Sequence, residues 1–246
     1  MHKFNKTSCA LGFFGGFSGK YILDELAKMQ IQTIPCLIDD ITQINVFISN
    51  GKDEYKLVEK GPFVPDHKKT EMLTIIKSLN NDSYLVISGS LPQNIEPEYF
   101  QSNLKIFQSK NIEIILDISH PILQDLLTYK HLLIKPNNDE LTEIFCLTIE
   151  TTKQIIIALE YINSKGAQNI LLTMGSKGLY FSNGKNIWFC NSVSIKQLSS
   201  ACTGDASLAA FLSKWLPAQS NYELAMKKSI TNWCQCCRIR WFRATS

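Results

Sequence analysis

The stretch SSACTGDASLAAFLSKW, residues 199–215, decides how the rest of the chain is interpreted. Small polar residues lead to an acid, Asp205, and apolar residues at helical spacing follow, so we predict a helix over 205–216 that starts near Gly204 or Asp205. The first amide groups of a helix lack partners inside it and carry partial positive charge. Small residues before the helix let an anion approach the backbone closely. The stretch therefore predicts an anion site with a carboxylate beside it.

Asp205 has two interpretations. It is either an ordinary acid of a first helical turn, matched to the helix dipole, or a general base that accepts a proton from a hydroxyl as that hydroxyl attacks a phosphorus atom. Taken alone, the stretch favours the ordinary acid. The choice between the two depends on the other motifs of the chain.

The bulk composition excludes several classes of protein. The 246 residues are 45% hydrophobic and 19% charged, which suits one globular domain or one domain with a small appendage. The formal net charge is only +3, and no long basic block occurs, so we expect no nucleic-acid partner. The sequence has no apolar run of about 18 residues and no convincing secretory leader, which favours a cytoplasmic protein without a membrane partner. The eight cysteines lack the spacing of zinc ligands, so we expect no zinc site.

The order of apolar and amphipathic runs predicts the fold class. Short runs rich in Ile, Leu and Val alternate with longer helical runs, which is typical of an α/β protein with a mostly parallel sheet flanked by helices. Such sheets bind ligands beyond the carboxyl ends of their strands. We therefore expect four loops to lie along one edge of the sheet. They are SGSLP after the buried strand 84–87, DISH after 113–116, KPNNDE after 131–134 and TMGSKG after 169–172.

Two of these loops have both a structural and a functional interpretation. Asn137 and Glu140 stand three residues apart at a helix entrance, where they could hold a hydrated Mg²⁺ ion beside nucleotide phosphates. They could equally cap the helix as a reciprocal pair. The glycine-flanked turn in TMGSKGLYF could lie against a nucleotide or simply join two strands. The residues alone leave both choices open.

Eight motifs occur along residues 8–230 in a characteristic order. They are LGFFGGFSGKYILDEL, TQINVFI, VEKGP, VISGSLPQ, ILDISH, LIKPNNDEL, LLTMGSKGLY and CTGDASLAAFL. This set resembles the PfkB, or ribokinase-like, carbohydrate kinase family, and within it the branch of 1-phosphofructokinases and tagatose-6-phosphate kinases. Each motif is weakly specific by itself, whereas eight in order are strongly so. The combination of GFFGGFSG with TQINV is more similar to the 1-phosphofructokinases.

The resemblance implies a ribokinase-like sandwich with a small β lid. Residues 1–33 and 64–232 would form the kinase domain, and 34–63 would form the lid, through which a homodimer could assemble. The implied reaction moves the γ-phosphoryl group of ATP, with Mg²⁺, to a ketose phosphate. Fructose 1-phosphate would be the substrate and fructose 1,6-bisphosphate the product, with tagatose 6-phosphate as the alternative substrate.

The resemblance also assigns roles to individual residues. Asp205 would be the catalytic base, with Thr203 and Gly204 in the anion hole. The nucleotide side would contain Lys135, Asn137, Thr173, Gly175 and Gly178. Glu140 and Asn137 would serve the magnesium ion, and the sugar phosphate would lie near Asn45, Ser88, Gly89 and Ser90.

The sequence departs from the family's pattern at several places. Cys202 and Thr203 are bulkier than the residues usual in the anion loop, and a positive φ at Cys202 would cost about 1–3 kcal/mol. Gln43 in TQIN replaces an arginine. The family's first strand and its Gly-Gly loop have no counterpart ahead of residue 1, and 233–246 is interpreted as an aberrant tail. We therefore expect poor or absent turnover, and a non-catalytic binding module stays as the second hypothesis.

Overall fold

The computed structural model describes residues 4, 6–49, 54–81, 83–129, 131–192 and 202–236. Its strands are β1 (Cys9–Gly15), β2 (Gln32–Ile38), β3 (Val46–Ser49), β4 (Glu54–Leu57), β5 (Tyr84–Gly89), β6 (Glu113–Ile118), β7 (Leu133–Ile134), β8 (Ile170–Thr173), β9 (Leu179–Ser182) and β10 (Ile187–Cys190). Its helices are α1 (Gly16–Lys28), α2 (Asp66–Ser78), α3 (Pro97–Ser109), α4 (Leu123–Leu126), α5 (Asn138–Phe145), α6 (Thr152–Ser164), α7 (Thr203–Trp215) and α8 (Tyr222–Cys236).

The largest sheet has six strands in the order β10-β9-β8-β7-β6-β5. Its neighbours from β5 to β8 are parallel, whereas β9 and β10 are antiparallel to the strands beside them. The expected mostly parallel α/β sheet is therefore confirmed. Because β5 to β8 run in one direction, the four loops that follow them lie along one edge of the sheet, as predicted.

Alternate side chains of the sheet enter two separate cores. On β6, Ile114 and Leu116 pack into the core on the side of α2 to α6, whereas Ile115 packs into the core formed with α7 and α8. This alternation follows from the two-residue period of a strand. The sheet consequently lies between two helical layers, which confirms the predicted sandwich.

Helix α7 begins two residues earlier than the predicted 205–216. Its apolar positions Leu208, Phe211, Leu212 and Trp215 are fully buried against β9 and α8. The helical spacing of these residues explains why the helix was predictable. Packing of this face holds the first turn of α7, which carries Asp205, firmly against the sheet.

The predicted lid range 34–63 contains two kinds of structure. Strand β2 pairs in parallel with β1, while β3 and β4 form a separate antiparallel hairpin. Asp40 joins the two ends of this region, because its carboxylate accepts hydrogen bonds from the backbone N–H groups of Ile41 and Phe63, both at 2.7 Å. These bonds lower the pKa of Asp40. The domain limits and the homodimer contact through the lid stay predictions.

Strand β5 is less buried than the sequence indicated. Strand 84–87 was expected to be buried, and that is wrong: Tyr84 and Val86 of β5 remain 48% and 40% exposed. These side chains are exposed because β5 is the last strand of its sheet.

Helix α8 extends to Cys236, so it enters the predicted tail 233–246, whose remaining residues lie outside the described part. Within the described residues, none of the helices has the length and apolarity needed to span a bilayer.

Candidate active site

A cavity of about 1070 Å³ opens between β1 and β5, with α7 on one of its faces. Asp205 lines it from the first turn of α7. Ser88 and Ser90, at the carboxyl end of β5, line the same cavity, whereas Gly89 between them has a left-handed φ of +98° and faces open space. The structure thus brings the predicted base and the predicted sugar-phosphate serines to one cavity.

A buried ion pair lies beneath the start of α7. The Nζ atom of Lys135 is 2.9 Å from a carboxylate oxygen of Asp117, and the lysine side chain is only 5% exposed. A Cβ atom placed on Gly204 would lie 3.5 Å from the same Nζ. The lysine charge and the positive end of the α7 helix dipole therefore act at one place, next to Gly204 and the buried Thr203. This arrangement suits a phosphate group.

Two other acidic side chains of the site, Asp205 and Glu140, act on the carboxyl group of Asp117. Burial raises the pKa of its carboxyl group, Lys135 opposes that rise, and the negative charges of Asp205 and Glu140 add to it. Those two acids therefore lie close enough to act on Asp117 electrostatically. Sequence reasoning quoted the segment DISH, which begins with Asp117, but assigned no role to that acid. An acid at the carboxyl end of a parallel strand was the available signal.

Asn137 and Glu140 form the reciprocal helix cap that was one of their two interpretations. The Asn137 side chain accepts a hydrogen bond from the Glu140 N–H, and the Glu140 carboxylate accepts one from the Asn137 N–H, both at 2.9 Å. A carboxylate can accept about four hydrogen bonds, so the cap leaves capacity at Glu140. Among the described residues, no three His, Cys, Asp or Glu side chains cluster as metal ligands. The side-chain oxygen atoms of Asn137 and Glu140 fit a hydrated Mg²⁺ ion, because that ion needs only one or two protein ligands.

The glycine turn after β8 lies beside this cap. The N–H of Thr173 donates to the Pro136 carbonyl at 3.1 Å, so the loops after β7 and β8 are joined. Gly178 has φ +108°, and a Cβ atom there would lie 2.2 Å from the Cys190 carbonyl oxygen, so only glycine fits. Gly175, with φ +54°, faces open space. The predicted nucleotide residues therefore gather at the ends of β7 and β8, along the same edge as the cavity.

The predicted lid range 34–63 contacts the end of β5 through Gln43, which sequence reasoning treated only as a replacement for arginine. The Ser90 hydroxyl donates to the Gln43 side-chain carbonyl at 2.7 Å, and the Gln43 amide donates to the Asn45 side chain at 3.0 Å. Gln43 lines the cavity, but Asn45 does not. The structure thus connects Asn45 to the site through Gln43.

Cys202 precedes α7 in a left-handed conformation, with φ 58° and ψ 12°. For a residue with a Cβ atom this conformation costs about 1–2 kcal/mol. Glycine avoids that cost, but it also makes the unfolded chain more flexible, which lowers the stability of the fold. We expect Cys202→Gly to raise the free energy of unfolding by about 0.5–1 kcal/mol relative to Cys202→Ala. Both variants lose the sulfur, so their difference, measured by urea denaturation, reports the Cβ alone. Equal stabilities of the two variants would contradict the expectation.

Known proteins with similar sequences and structures are carbohydrate kinases. A family model described as pfkB family carbohydrate kinase matches residues 2–230. D-tagatose-1-phosphate kinase of Klebsiella oxytoca is 42% identical over 216 residues, which cover 88% of this chain and 71% of that protein. 1-Phosphofructokinase of Borreliella burgdorferi is 32% identical over 214 residues, or 86% of this chain and 69% of the relative. Among solved structures, phosphofructokinase-2 from Escherichia coli superposes with a TM-score of 0.88 at 20% identity, over 96% of this chain and 78% of that one.

Proposed function

Because the chain belongs to the pfkB family of carbohydrate kinases, we propose that it transfers the terminal phosphoryl group of ATP to a hydroxyl group of a ketohexose 1-phosphate. The observation that carries this proposal is the position of Asp205, at the wall of the cavity and in the first turn of α7. Lys135 lies beneath that turn. A base and a positive site side by side are what phosphoryl transfer to a hydroxyl requires.

The proposed chemistry assigns a separate task to each group. Asp205 accepts the proton of the sugar hydroxyl, the hydroxyl oxygen forms a bond to the γ-phosphorus atom, and the bond from that atom to the ADP oxygen breaks. The first amide groups of α7, at Thr203 and Gly204, stabilise negative charge on the moving group. Lys135 adds its charge, and Asp117 holds Lys135 in place.

The remaining residues of the site would hold the two substrates and the metal ion. Glu140, with Asn137, would hold Mg²⁺, which when bound neutralises charge on the ATP phosphates. Lys135, Thr173, Gly175 and Gly178 would lie along the nucleotide. Ser88, Gly89 and Ser90 would contact the sugar phosphate, with Asn45 acting from the lid through Gln43.

The relatives change the order of the candidate substrates. The two described above act, by their names, on D-tagatose 1-phosphate and fructose 1-phosphate, and both sugars carry a phosphate at carbon 1. The higher identity supports D-tagatose 1-phosphate as the first candidate and fructose 1-phosphate as the second. Tagatose 6-phosphate becomes the third.

A coupled assay of ADP release tests this proposal with the three sugar phosphates and ATP. We expect kcat/KM for the two ketose 1-phosphates to exceed that for tagatose 6-phosphate at least tenfold, a difference of about 1.4 kcal/mol in transition-state binding. Phosphorus NMR should show a second phosphate ester on the product. A preference for the 6-phosphate would overturn the substrate. If no sugar supports even one turnover per protein molecule, the proposal fails and the binding module replaces it.

A further inference from the structure

Thr42 and Gln43 connect the carboxyl ends of β1 and β5, two strands whose residues line the cavity. The Oγ1 atom of Thr42 accepts a hydrogen bond from the N–H of Gly15, the last residue of β1, at 2.8 Å, and the Thr42 N–H donates to the Gly15 carbonyl at 3.0 Å. Gln43 is bonded to Ser90, which directly follows β5. Both Thr42 and Gln43 line the cavity. Bonds to both strands therefore fix where the Gln43 side chain lies.

The orientation of the Gln43 side-chain amide follows from its partners. Its Nε2 atom lies 2.5 Å from the backbone carbonyl oxygen of Glu59 and 3.0 Å from the Oδ1 atom of Asn45. A carbonyl oxygen can only accept a hydrogen bond, so the nitrogen of the amide, and not its oxygen, must face Glu59. The amide oxygen consequently faces Ser90, and both N–H groups of Gln43 are already used.

Ser90 retains only acceptor capacity toward the cavity. Its hydroxyl group has one proton and two lone pairs, and the proton is donated to the Gln43 oxygen at 2.7 Å. Ser90 is exposed and lines the cavity, so its lone pairs are open to a ligand. A sugar hydroxyl group can donate to them. A phosphate monoester, whose second pKa is about 6, mostly has no proton to donate at neutral pH.

We propose that Gln43 is a positioning residue that fixes Ser90 as a hydrogen-bond acceptor, so that Ser90 selects a hydroxyl group of the ketose rather than its phosphate group. Gln43 acts through Ser90, because its own N–H groups are bonded to Glu59 and Asn45. The phosphate group of the sugar then lies elsewhere in the cavity. This inference rests on the proposed function, since it concerns how the same cavity holds its sugar.

The test measures binding of the sugar phosphate by calorimetry without ATP, so it needs no turnover. The ligand is whichever of D-tagatose 1-phosphate, fructose 1-phosphate and tagatose 6-phosphate binds the unmodified chain most tightly. Gln43→Met keeps the length of the side chain but removes its donors and its strong acceptor. We expect it to weaken sugar binding about fivefold, the usual effect of one hydrogen bond, and to leave ATP binding unchanged.

Gln93→Met is the matched control for Gln43→Met. The Gln93 amide also joins the loop after β5 to the predicted lid, donating to the Gly61 carbonyl at 2.6 Å, but Gln93 does not line the cavity. Urea denaturation should show similar small losses of stability in both variants. Sugar binding should weaken only in Gln43→Met. Equal weakening in the two variants, or none in Gln43→Met, would overturn the proposal.

A double variant shows whether Gln43 acts through Ser90. In a Ser90→Ala chain, adding Gln43→Met should change sugar affinity less than twofold, because the group that Gln43 positions is gone. If Gln43 merely holds the predicted lid in place, the fivefold loss persists without Ser90 and the proposal is wrong.

Phosphorus NMR tests which group of the sugar Ser90 contacts. The resonance of the bound sugar phosphate should have the same position in the unmodified chain and in Ser90→Ala, whereas a shifted resonance would place the phosphate group at Ser90 and overturn the selection. If none of the three sugars binds the unmodified chain, this inference fails together with the proposed function. Binding with the expected variant effects but without turnover overturns the proposed function alone.

Discussion

Replacing Asp205 with asparagine is expected to lower kcat/KM for phosphoryl transfer by about 10²–10⁴-fold. Asparagine has almost the same shape as aspartate, but it cannot accept the proton of the attacking hydroxyl. The side chain lines the cavity from the first turn of α7, where Lys135 and the helix amides provide positive charge. The rate loss should therefore exceed any loss of nucleotide binding, and equilibrium binding of ATP should change little.

Glu98→Gln provides the matched control for Asp205→Asn. Glu98 is also an exposed acid in a first helical turn, that of α3, but it does not line the cavity. Both substitutions remove a favourable interaction with a helix dipole, which is worth about 0.3–1 kcal/mol at an exposed site. We expect similar small losses of stability in both variants and a loss of rate only in Asp205→Asn. If the two variants have the same activity, Asp205 is an ordinary first-turn acid and the proposed mechanism is wrong.

Replacing Asp117 with asparagine is expected to destabilise the fold by about 3–5 kcal/mol, the usual cost of removing one partner of a buried ion pair. Lys135 lies only 2.9 Å from Asp117 and would stay buried without its carboxylate. A loss of this size is a large part of the 5–15 kcal/mol that typically stabilises a folded protein. Denaturant unfolding at low temperature should measure it.

A double variant distinguishes a lost charge pair from a lost contact. Adding Lys135→Met to the Asp117→Asn chain should restore most of the lost stability, because it removes the buried charge that lacks a partner. A single variant that loses less than about 1 kcal/mol would show that the pair contributes little.

Much of the fold was predictable because it depends on local patterns. The apolar spacing of 208–215 determines which face of α7 is buried, and the two-residue alternation of β6 places its side chains in two cores. The order of strands and helices along the chain then restricts the sheet to a mostly parallel form. These features require no knowledge of distant contacts.

The site was predictable only in part. The predicted roles of Asp205 and the glycine turn rest on short motifs and on the resemblance to the family, because the residues of each motif taken alone left its role open. The Asp117–Lys135 pair and the Ser90–Gln43 bond join residues from different strands or loops. Neither contact leaves a local pattern, because the first depends on β6 lying beside β7 and the second on the loop before β3 reaching the end of β5.

By itself, the sequence determined the α/β class, the start of α7 near a carboxylate and the family to which the chain belongs. Only the tertiary structure decided that Asn137 and Glu140 cap a helix and that β5 is half-exposed at an open edge. The physical reason is the range of the interactions. Helical periodicity and turn geometry are properties of neighbouring residues, whereas the burial of a strand depends on which other segment lies beside it.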